Sequence, residues 1–285
     1  MACYICGCKK STIRDGQVRD NPNAVINQCD YCGLVFLTDI SLGESVDDFY
    51  RNSGMHDDNI FSIEQWLQET KQDDARRFNS FKEQIIDKSI LDFGCGAGGF
   101  LLQAKDVAKS LAGIELEKRL SGHFLQNGLE VTGDINDFAR TRKFDIITAF
   151  HVLEHLPDPR FMLKEFAKYL AEDGKIIIEV PNADDALLTL YENEPFSKFT
   201  YWSCHLYLFN AANLGQLVEQ VGMHISSMEH KQRYPLSNHL FWLAKGKPGG
   251  DKDWHFLDSP QLRSSYENAL AKIGKTDTII ATLTL

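Results

Sequence analysis

The stretch Ile90-Leu-Asp-Phe-Gly-Cys-Gly-Ala-Gly-Gly99 is a short apolar run that stops at an acidic residue and continues into glycines. A buried parallel strand has this pattern when its end must come close to a ligand, because glycine lets the backbone approach without a side chain in the way. Several nucleotide-binding folds share the feature, so the glycines alone do not identify a ligand. The acids are more specific, since Asp92 precedes the glycines and Glu115 follows them.

The residues around this stretch alternate between helix-like and strand-like patterns, which is typical of an α/β fold. A helix is predicted over 100–109, and the next apolar run, 111–114, ends at Glu115. An acid at the tip of a second strand, about 20 residues after such glycines, is placed to accept hydrogen bonds from ribose hydroxyls. With the run at 90–93, seven strands are predicted, the others at 129–132, 144–150, 175–180, 224–233 and 278–285.

These motifs, in this order, resemble the class I S-adenosylmethionine-dependent methyltransferases over roughly residues 85–233. The acid-x-Gly-x-Gly-x-Gly motif of that family stands here at 92–98. The resemblance implies a Rossmann-like methyltransferase sheet of seven strands, with S-adenosylmethionine as the cofactor. The residues expected to bind it are Asp92, Gly94, Gly96, Gly98, Glu115, Leu116, Asp134, Ile135 and Phe150.

A dinucleotide-dependent dehydrogenase is the structural rival, because its fold also follows a buried strand with glycines. The spacing here is Gly-x-Gly-x-Gly, whereas the dinucleotide motif is Gly-x-Gly-x-x-Gly. The position of Asp92 also suits a cofactor that carries an amino acid. The sequence therefore favours the methyltransferase.

Composition limits the class of protein and of substrate. The 285 residues suffice for one large α/β domain and a small module, and the formal net charge is −10. A chain this acidic is expected to bind nucleic acid weakly, because affinity for phosphate comes from clustered Lys and Arg. The sequence has neither an apolar run of membrane-spanning length nor the apolar core of a signal peptide, so a cytoplasmic protein without membrane contact is predicted.

The N-terminal region carries two matching cysteine pairs, Cys3-x-x-Cys6-Gly and Cys29-x-x-Cys32-Gly. Each pair can place two thiolates on one tetrahedral ion, and the glycine lets the turn close. A structural zinc in a small ribbon is therefore predicted, with a redox pair as the alternative. Cys8 is close enough in sequence to compete as a ligand, although its spacing fits less well.

The domain organisation predicted from these features has three parts. A zinc-binding module covers 1–40, a connecting helical segment covers 41–84, and the methyltransferase domain covers 85–285. Within the connecting segment, Tyr50 and His56 are candidates to reach the active site. About 45 residues separate the last two strands, and this insertion at about 234–276 is predicted to be a substrate cap or a homodimer contact.

The candidate catalytic groups follow the fourth and fifth strands, since acceptors bind at the carboxyl ends of the strands. His151, Glu154 and His155 have the spacing of one helical face. They are interpreted as supplying a histidine general base, or as a metal site completed by His205 and the substrate. The simplest alternative is that Glu154 and His155 only cap the turn and orient the cofactor. His205 lies in an aromatic-rich stretch, before a helix predicted at 211–221 with Asn210 as its N-cap.

The four cysteines of the two pairs, with His155 and His205, are also similar to zinc-containing deoxysugar C-methyltransferases. Where those enzymes have Tyr-x-Glu-His, this chain has Trp202 and Cys204 in the Tyr and Glu places. The resemblance implies a small polar acceptor, a sugar or sugar nucleotide, and oxygen methylation is as compatible with the sequence as carbon methylation. The alternative function is methylation of a protein or RNA, with the zinc ribbon as a docking module.

Overall fold

The computed structural model of the protein describes residues 2–39 and 62–285, so Tyr50 and His56 lie outside the described residues. Eleven strands are described. In chain order they are β1 Ser11–Ile13, β2 Val25–Cys29, β3 Val35–Thr38, β4 Ser89–Phe93, β5 Ser110–Ile114, β6 Glu130–Thr132, β7 Phe144–Phe150, β8 Leu170–Pro181, β9 Tyr207–Leu208, β10 His224–Lys231 and β11 Thr278–Thr284.

The larger sheet has seven strands in the order β10-β11-β8-β7-β4-β5-β6. β4 pairs in parallel with both β5 and β7, and β5 pairs in parallel with β6. The central strands are apolar on both faces, and residues such as Ile90, Leu91 and Ile147 are fully buried, as expected for a parallel sheet covered on both sides. The prediction of an α/β fold with a seven-stranded Rossmann-like methyltransferase sheet is confirmed.

Ten α-helices are described, and several begin where the sequence indicates. Asn210 is the N-cap of the helix that begins at Ala211, as predicted, and it forms a capping box with Asn213. Ser62 caps the first helix. In chain order the helices are α1 Ile63–Ile85, α2 Gly99–Ala104, α3 Ser121–Gln126, α4 Pro159–Tyr169, α5 Ala186–Thr189, α6 Glu194–Ser197, α7 Ala211–Gln220, α8 Leu236–Lys245, α9 Gly250–Asp253 and α10 Pro260–Lys272.

The helix after the glycines is shorter than predicted, since α2 ends at Ala104 and not at Lys109. The N–H of Lys109 donates to the carbonyl of Lys88, 2.9 Å away, beside the start of β4. This bond turns the chain out of the helix and into β5, so tertiary pairing ends α2 early.

The described chain divides into two compact units. One contains residues 2–39 and 179–281, and the other contains 62–178 and 282–285. The smaller sheet belongs to the first unit and has the order β1-β2-β3-β9, so residues from beyond 200 complete a sheet that begins at the N-terminus. The insertion at 234–276 forms α8, α9 and α10, and its function as a substrate cap or dimer contact stays a prediction. Within the described ranges, no helix has both the length and the apolar character needed to cross a bilayer.

Candidate active site

The glycine loop begins at Gly94, directly after β4. Gly94 has a φ of 73°, and a Cβ there would lie 2.5 Å from Cγ2 of Val152. No other residue fits, because both the left-handed backbone and the close contact exclude a side chain. The contact brings the tip of β4 against the turn that follows β7. Gly96 and Gly98 continue the loop, and α2 begins directly after them.

Glu115 follows β5 and faces this loop. Its two carboxylate oxygens accept hydrogen bonds from the backbone N–H of Gly96 at 2.8 Å and of Glu117 at 2.9 Å. Burial raises the pKa of Glu115, while these backbone donors partly offset the rise. An acid held at the glycine loop in this way has the position predicted for a group that binds ribose hydroxyls.

Asp92 is a buried carboxylate, 3% exposed, next to the last residue of strand β4 and just before the loop. The hydroxyl of Thr148 on β7 donates to its Oδ1 at 2.7 Å. Burial raises the pKa of Asp92 to about 7, although the Thr148 hydrogen bond and the charge of Arg77 act in the opposite direction. A positive charge placed near Asp92 would therefore stabilise the charged form of this carboxylate.

Helix α1 contributes residues to this site that the sequence analysis did not identify. Arg77 forms an ion pair with Asp74 at 3.6 Å and lies 4.7 Å from the ring centre of Phe150. Asp74 reaches the start of α2, because a Cβ on Gly99 would lie 2.0 Å from its carboxylate. Thr148 could have been noticed in the sequence as the one hydroxyl in a mostly apolar strand. No sequence pattern points to Arg77 as a residue of the site.

The remaining predicted cofactor residues lie in loops of the same unit. Leu116 is half-buried and follows Glu115. Asp134 is exposed and caps a short 3₁₀ turn, where its Oδ1 accepts from the N–H of Asn136 at 2.8 Å. Ile135 begins that turn and is 3% exposed, so its side chain is part of the core. The roles of these residues in cofactor binding stay predictions.

The turn after β7 brings together the His-Glu-His group. His151 Nδ1 lies 3.3 Å from Glu154 Oε1, and His155 Nε2 lies 3.9 Å from the same oxygen. The Glu154 side chain is fully buried. Only the first distance is short enough for a hydrogen bond. Glu154 can therefore hold the imidazole of His151 with its proton on Nδ1, which leaves the lone pair on Nε2.

The helical spacing of His151, Glu154 and His155 does not correspond to a helical turn that begins at His151. His151 has a φ of 55°, and the following 3₁₀ turn spans Leu153–His155. A left-handed backbone at a non-glycine residue is strained, and such strain clusters at functional sites. The strained residue, and not a helical face, is what brings His151 to Glu154.

His205 belongs to the other unit, in the connection between β8 and α7. Its N–H donates to the carbonyl of Trp202 at 2.9 Å, and the two rings meet edge to face with centroids 5.8 Å apart. Ser203 and Cys204, between them, are buried. His205 thus lies on a tight turn after β8, as its position in the sequence predicts.

The four predicted metal ligands come together in the smaller sheet. The sulfurs of Cys3, Cys6, Cys29 and Cys32 all lie within 4.8 Å of one another, and the Cys3–Cys32 and Cys6–Cys29 pairs are both 3.5 Å apart. The two turns match, because Gly7 and Gly33 each have a φ of 72°. Cys8 lies outside this group, and its sulfur accepts from the N–H of Lys10 at 3.4 Å.

A family model described as a methyltransferase domain matches residues 63–227 of the sequence. Curated relatives include the ubiquinone biosynthesis O-methyltransferase of Aeromonas salmonicida, 26% identical over 174 residues, which are 56% of this chain and 73% of that protein. The enzyme of the same name from Coxiella burnetii is 28% identical over 179 residues, which are 57% of this chain and 75% of the relative.

One solved structure has a similar fold, and a second is a weaker match. A chain from the complex between the Haloferax volcanii Trm112 methyltransferase activator and its methyltransferase has a TM-score of 0.51 and 12% identity, and the match covers 78% of this chain and 97% of that one. A SAM-dependent methyltransferase of Thermotoga maritima has a TM-score of 0.49 and 18% identity, over 78% of this chain and 93% of that one. At these identities the likeness concerns the fold alone.

Proposed function

Because the chain belongs to the methyltransferase-domain family and is an S-adenosylmethionine-dependent methyltransferase, we propose that it methylates a hydroxyl oxygen of a small polar acceptor. The cofactor supplies an already activated methyl group. The protein must therefore align the acceptor and remove the hydroxyl proton. A positioned histidine is the usual group for that proton transfer near neutral pH.

The observation that carries this proposal is the pairing of His151 with a fully buried Glu154, 3.3 Å apart. The pair stands at the carboxyl end of β7, next to the glycine loop, because Val152 packs against Gly94. Carboxyl ends of strands are where ligands bind in open α/β sheets. An imidazole that a carboxylate orients at this position is suited to act as the general base for an acceptor hydroxyl.

For the acceptor we propose a sugar or a sugar nucleotide. The N-terminal cysteine pairs and His205 support this choice, because they match residues of the deoxysugar methyltransferases that the sequence resembles. The O-methyltransferase relatives support oxygen as the methylated atom, while their names point to the ubiquinone pathway. Methylation of RNA is disfavoured by the net charge of −10.

A transfer assay with labelled S-adenosylmethionine tests the proposal. The panel holds nucleoside diphosphate sugars, free sugars, catechols, an RNA mixture and a protein mixture. Label in a sugar ether is the expected result. Label in a catechol would retain O-methylation and correct the acceptor class, whereas label only in RNA or protein would refute a small polar acceptor.

The residues around the glycine loop fit the cofactor. Asp92 is buried and Glu115 is half-buried, and desolvation raises the pKa of both carboxyl groups, so a positively charged or hydrogen-bonding ligand stabilises the charged form of each. S-Adenosylmethionine carries a sulfonium and an ammonium, together with a ribose diol. We propose that Glu115 holds the ribose and that Asp92 faces the positively charged amino-acid end.

This arrangement predicts that the affinity for S-adenosylmethionine increases with pH. Asp92 has a pKa of about 7 before the ligand binds, and a bound cation lowers that pKa, so binding releases a proton. Proton release makes the association constant increase as pH increases. Glu115, whose pKa is also raised, acts in the same direction, while Arg77 and Asp74 are the other charges near Asp92. We expect a several-fold increase in affinity between about pH 5.5 and 6.5, where Asp92 titrates and the ligand's own amino group stays charged.

Calorimetry at several pH values, in two buffers of different ionisation enthalpy, measures both the affinity and the released protons. Asp92→Asn is the matched variant, because its Oδ1 still accepts from Thr148 but the side chain does not titrate. The variant is expected to bind more weakly and with less pH dependence. An affinity that stays constant or falls with pH in the natural protein would contradict the assignment.

We also propose that the four cysteines hold a structural zinc. Zn–S bonds of about 2.3 Å place the sulfurs of a tetrahedral site roughly 3.8 Å apart, which is close to the 3.5 Å separations of the two pairs. All four side chains are thiols and not disulfides. Four thiolates fill the coordination sphere, so the metal has a structural and not a catalytic role.

A further inference from the structure

The N-terminal cysteine sheet contacts the turn that carries His205 at several points within one unit. β3 pairs antiparallel with β9, with Val35 opposite Leu208 and Phe36 opposite Tyr207. The N–H of Leu37 adds a bond of 3.2 Å to the carbonyl of Leu206. A metal-stabilised sheet thus continues directly into the chain next to His205.

A second set of contacts holds the other side of the turn. The N–H of Arg19 donates to the carbonyl of Tyr201 at 3.0 Å, and the Arg19 guanidinium lies 4.8 Å from the ring of Trp202. Tyr201 is fully buried in an apolar cluster that includes Val18 and Leu208. Both ends of the segment 199–209 are therefore fixed to the N-terminal sheet.

Asp20 makes the most specific of these contacts. Its Oδ1 accepts from the backbone N–H of Ser203 at 2.9 Å, and its Oδ2 accepts from the Ser203 hydroxyl at 2.6 Å. A carboxylate that binds both donors of one residue fixes that residue's orientation as well as its position. Ser203 lies two positions before His205, within the turn closed by the His205 N–H.

Helix α7, which follows the segment, binds both cysteine turns. The side-chain amide of Asn213 donates to the carbonyl of Cys32 at 3.3 Å, and that of Gln220 donates to the carbonyl of Ile5 at 2.7 Å. The chain before and after His205 is thus attached to the metal-binding turns. Because of these contacts, the conformation of the segment 199–209 depends on whether the N-terminal sheet is folded.

We propose that Asp20 is a positioning residue for the His205 turn, and that the N-terminal sheet acts on the acceptor half of the reaction through this contact. The connection that leaves the carboxyl end of a strand borders the ligand crevice in open α/β sheets, and residues 182–210 form that connection after β8. The cofactor residues lie in the other unit. Loss of the Asp20 contact therefore affects the acceptor and not the cofactor. This inference rests on the proposed function only in assigning the turn to the acceptor.

The experiment compares Asp20→Ala, Asp20→Asn and Asp30→Ala in the full chain. Asp30 is the control, because it is an exposed aspartate of the same N-terminal region, in the turn after β2, whose Oδ1 accepts from Thr12 at 2.7 Å; its measured metal content shows whether the neighbouring cysteine turn is intact. Hydrogen exchange of 199–209, metal content, S-adenosylmethionine affinity and the acceptor KM are measured for each protein. For Asp20→Ala we expect exchange and acceptor KM to rise at least fivefold, with metal content and cofactor affinity unchanged within twofold. Asp20→Asn, which keeps one acceptor oxygen, should be intermediate, and Asp30→Ala should match the natural protein.

Unchanged exchange in Asp20→Ala, or an equal change in Asp30→Ala, would overturn the anchoring. Faster exchange with unchanged acceptor KM and kcat would overturn the link to the acceptor. The exchange measurement needs neither acceptor nor cofactor, so it tests the anchoring even where the proposed acceptor class fails. Ser203→Ala removes only the hydroxyl donor and should give a smaller increase in exchange than Asp20→Ala.

Discussion

Cys29→Ser is expected to yield a chain without bound metal, whose residues 2–39 exchange their amide hydrogens almost as fast as an unfolded peptide. The Cys29 sulfur lies 3.5 Å from that of Cys6 and belongs to the four-sulfur group. A sheet of such short strands buries too little apolar surface to fold alone. Structural zinc contributes roughly 10–16 kcal/mol of apparent binding free energy to small domains, so losing a ligand should unfold it. Native mass spectrometry and hydrogen exchange measure the two effects.

Cys8→Ser is the control for this prediction. Cys8 has the same chemistry and lies two residues from Cys6, but its sulfur contacts the backbone of Lys10 and not the four-sulfur group. This variant should keep one metal ion per chain and natural exchange rates. A folded natural chain without metal would contradict the zinc proposal, and metal loss in Cys8→Ser would mean that the ligand set differs from the one described.

Most of the larger sheet could be predicted from the sequence, because local patterns determine its parts. The central strands β4, β5 and β7 are apolar runs that end at acids, glycines or the His-rich turn, and parallel order follows from the helices between them. The caps at Asn210 and Ser259 are likewise visible, since each side chain binds a backbone donor three residues later. The clustering of Cys3 with Cys32 follows from the repeated spacing.

What the sequence did not show depends on contacts between distant residues. The smaller sheet takes its fourth strand from Tyr207–Leu208, and a two-residue strand has no periodicity to detect. Arg77 comes near Asp92 only because α1 packs beside the glycine loop. The left-handed backbone at His151 is also invisible in the sequence, because a positive φ is uncommon at any non-glycine residue, even at histidine, where it is enriched.

His151→Asn is expected to lower kcat by about 100- to 10,000-fold while S-adenosylmethionine still binds, because a positioned general base contributes a factor of that size. The His151–Glu154 hydrogen bond of 3.3 Å fixes the imidazole, so Glu154→Gln should reduce kcat by a smaller factor. His155, 3.9 Å from Glu154, and His205 are the other candidate bases, and the same substitution in each measures its share.

The pH profile distinguishes a base from a residue that only packs. With S-adenosylmethionine saturating, so that Asp92 does not contribute, kcat of the natural protein should fall at acidic pH, where a histidine base gains a proton. His151→Asn should lose this acidic limb, whereas His224→Asn, an exposed histidine of β10, should keep both the rate and the limb. If His151→Asn retains natural kcat and only His155→Asn or His205→Asn lowers it, then the base is that histidine. If none of the three variants loses activity, the reaction needs no histidine base, and the acceptor must be a group that is already deprotonated at neutral pH.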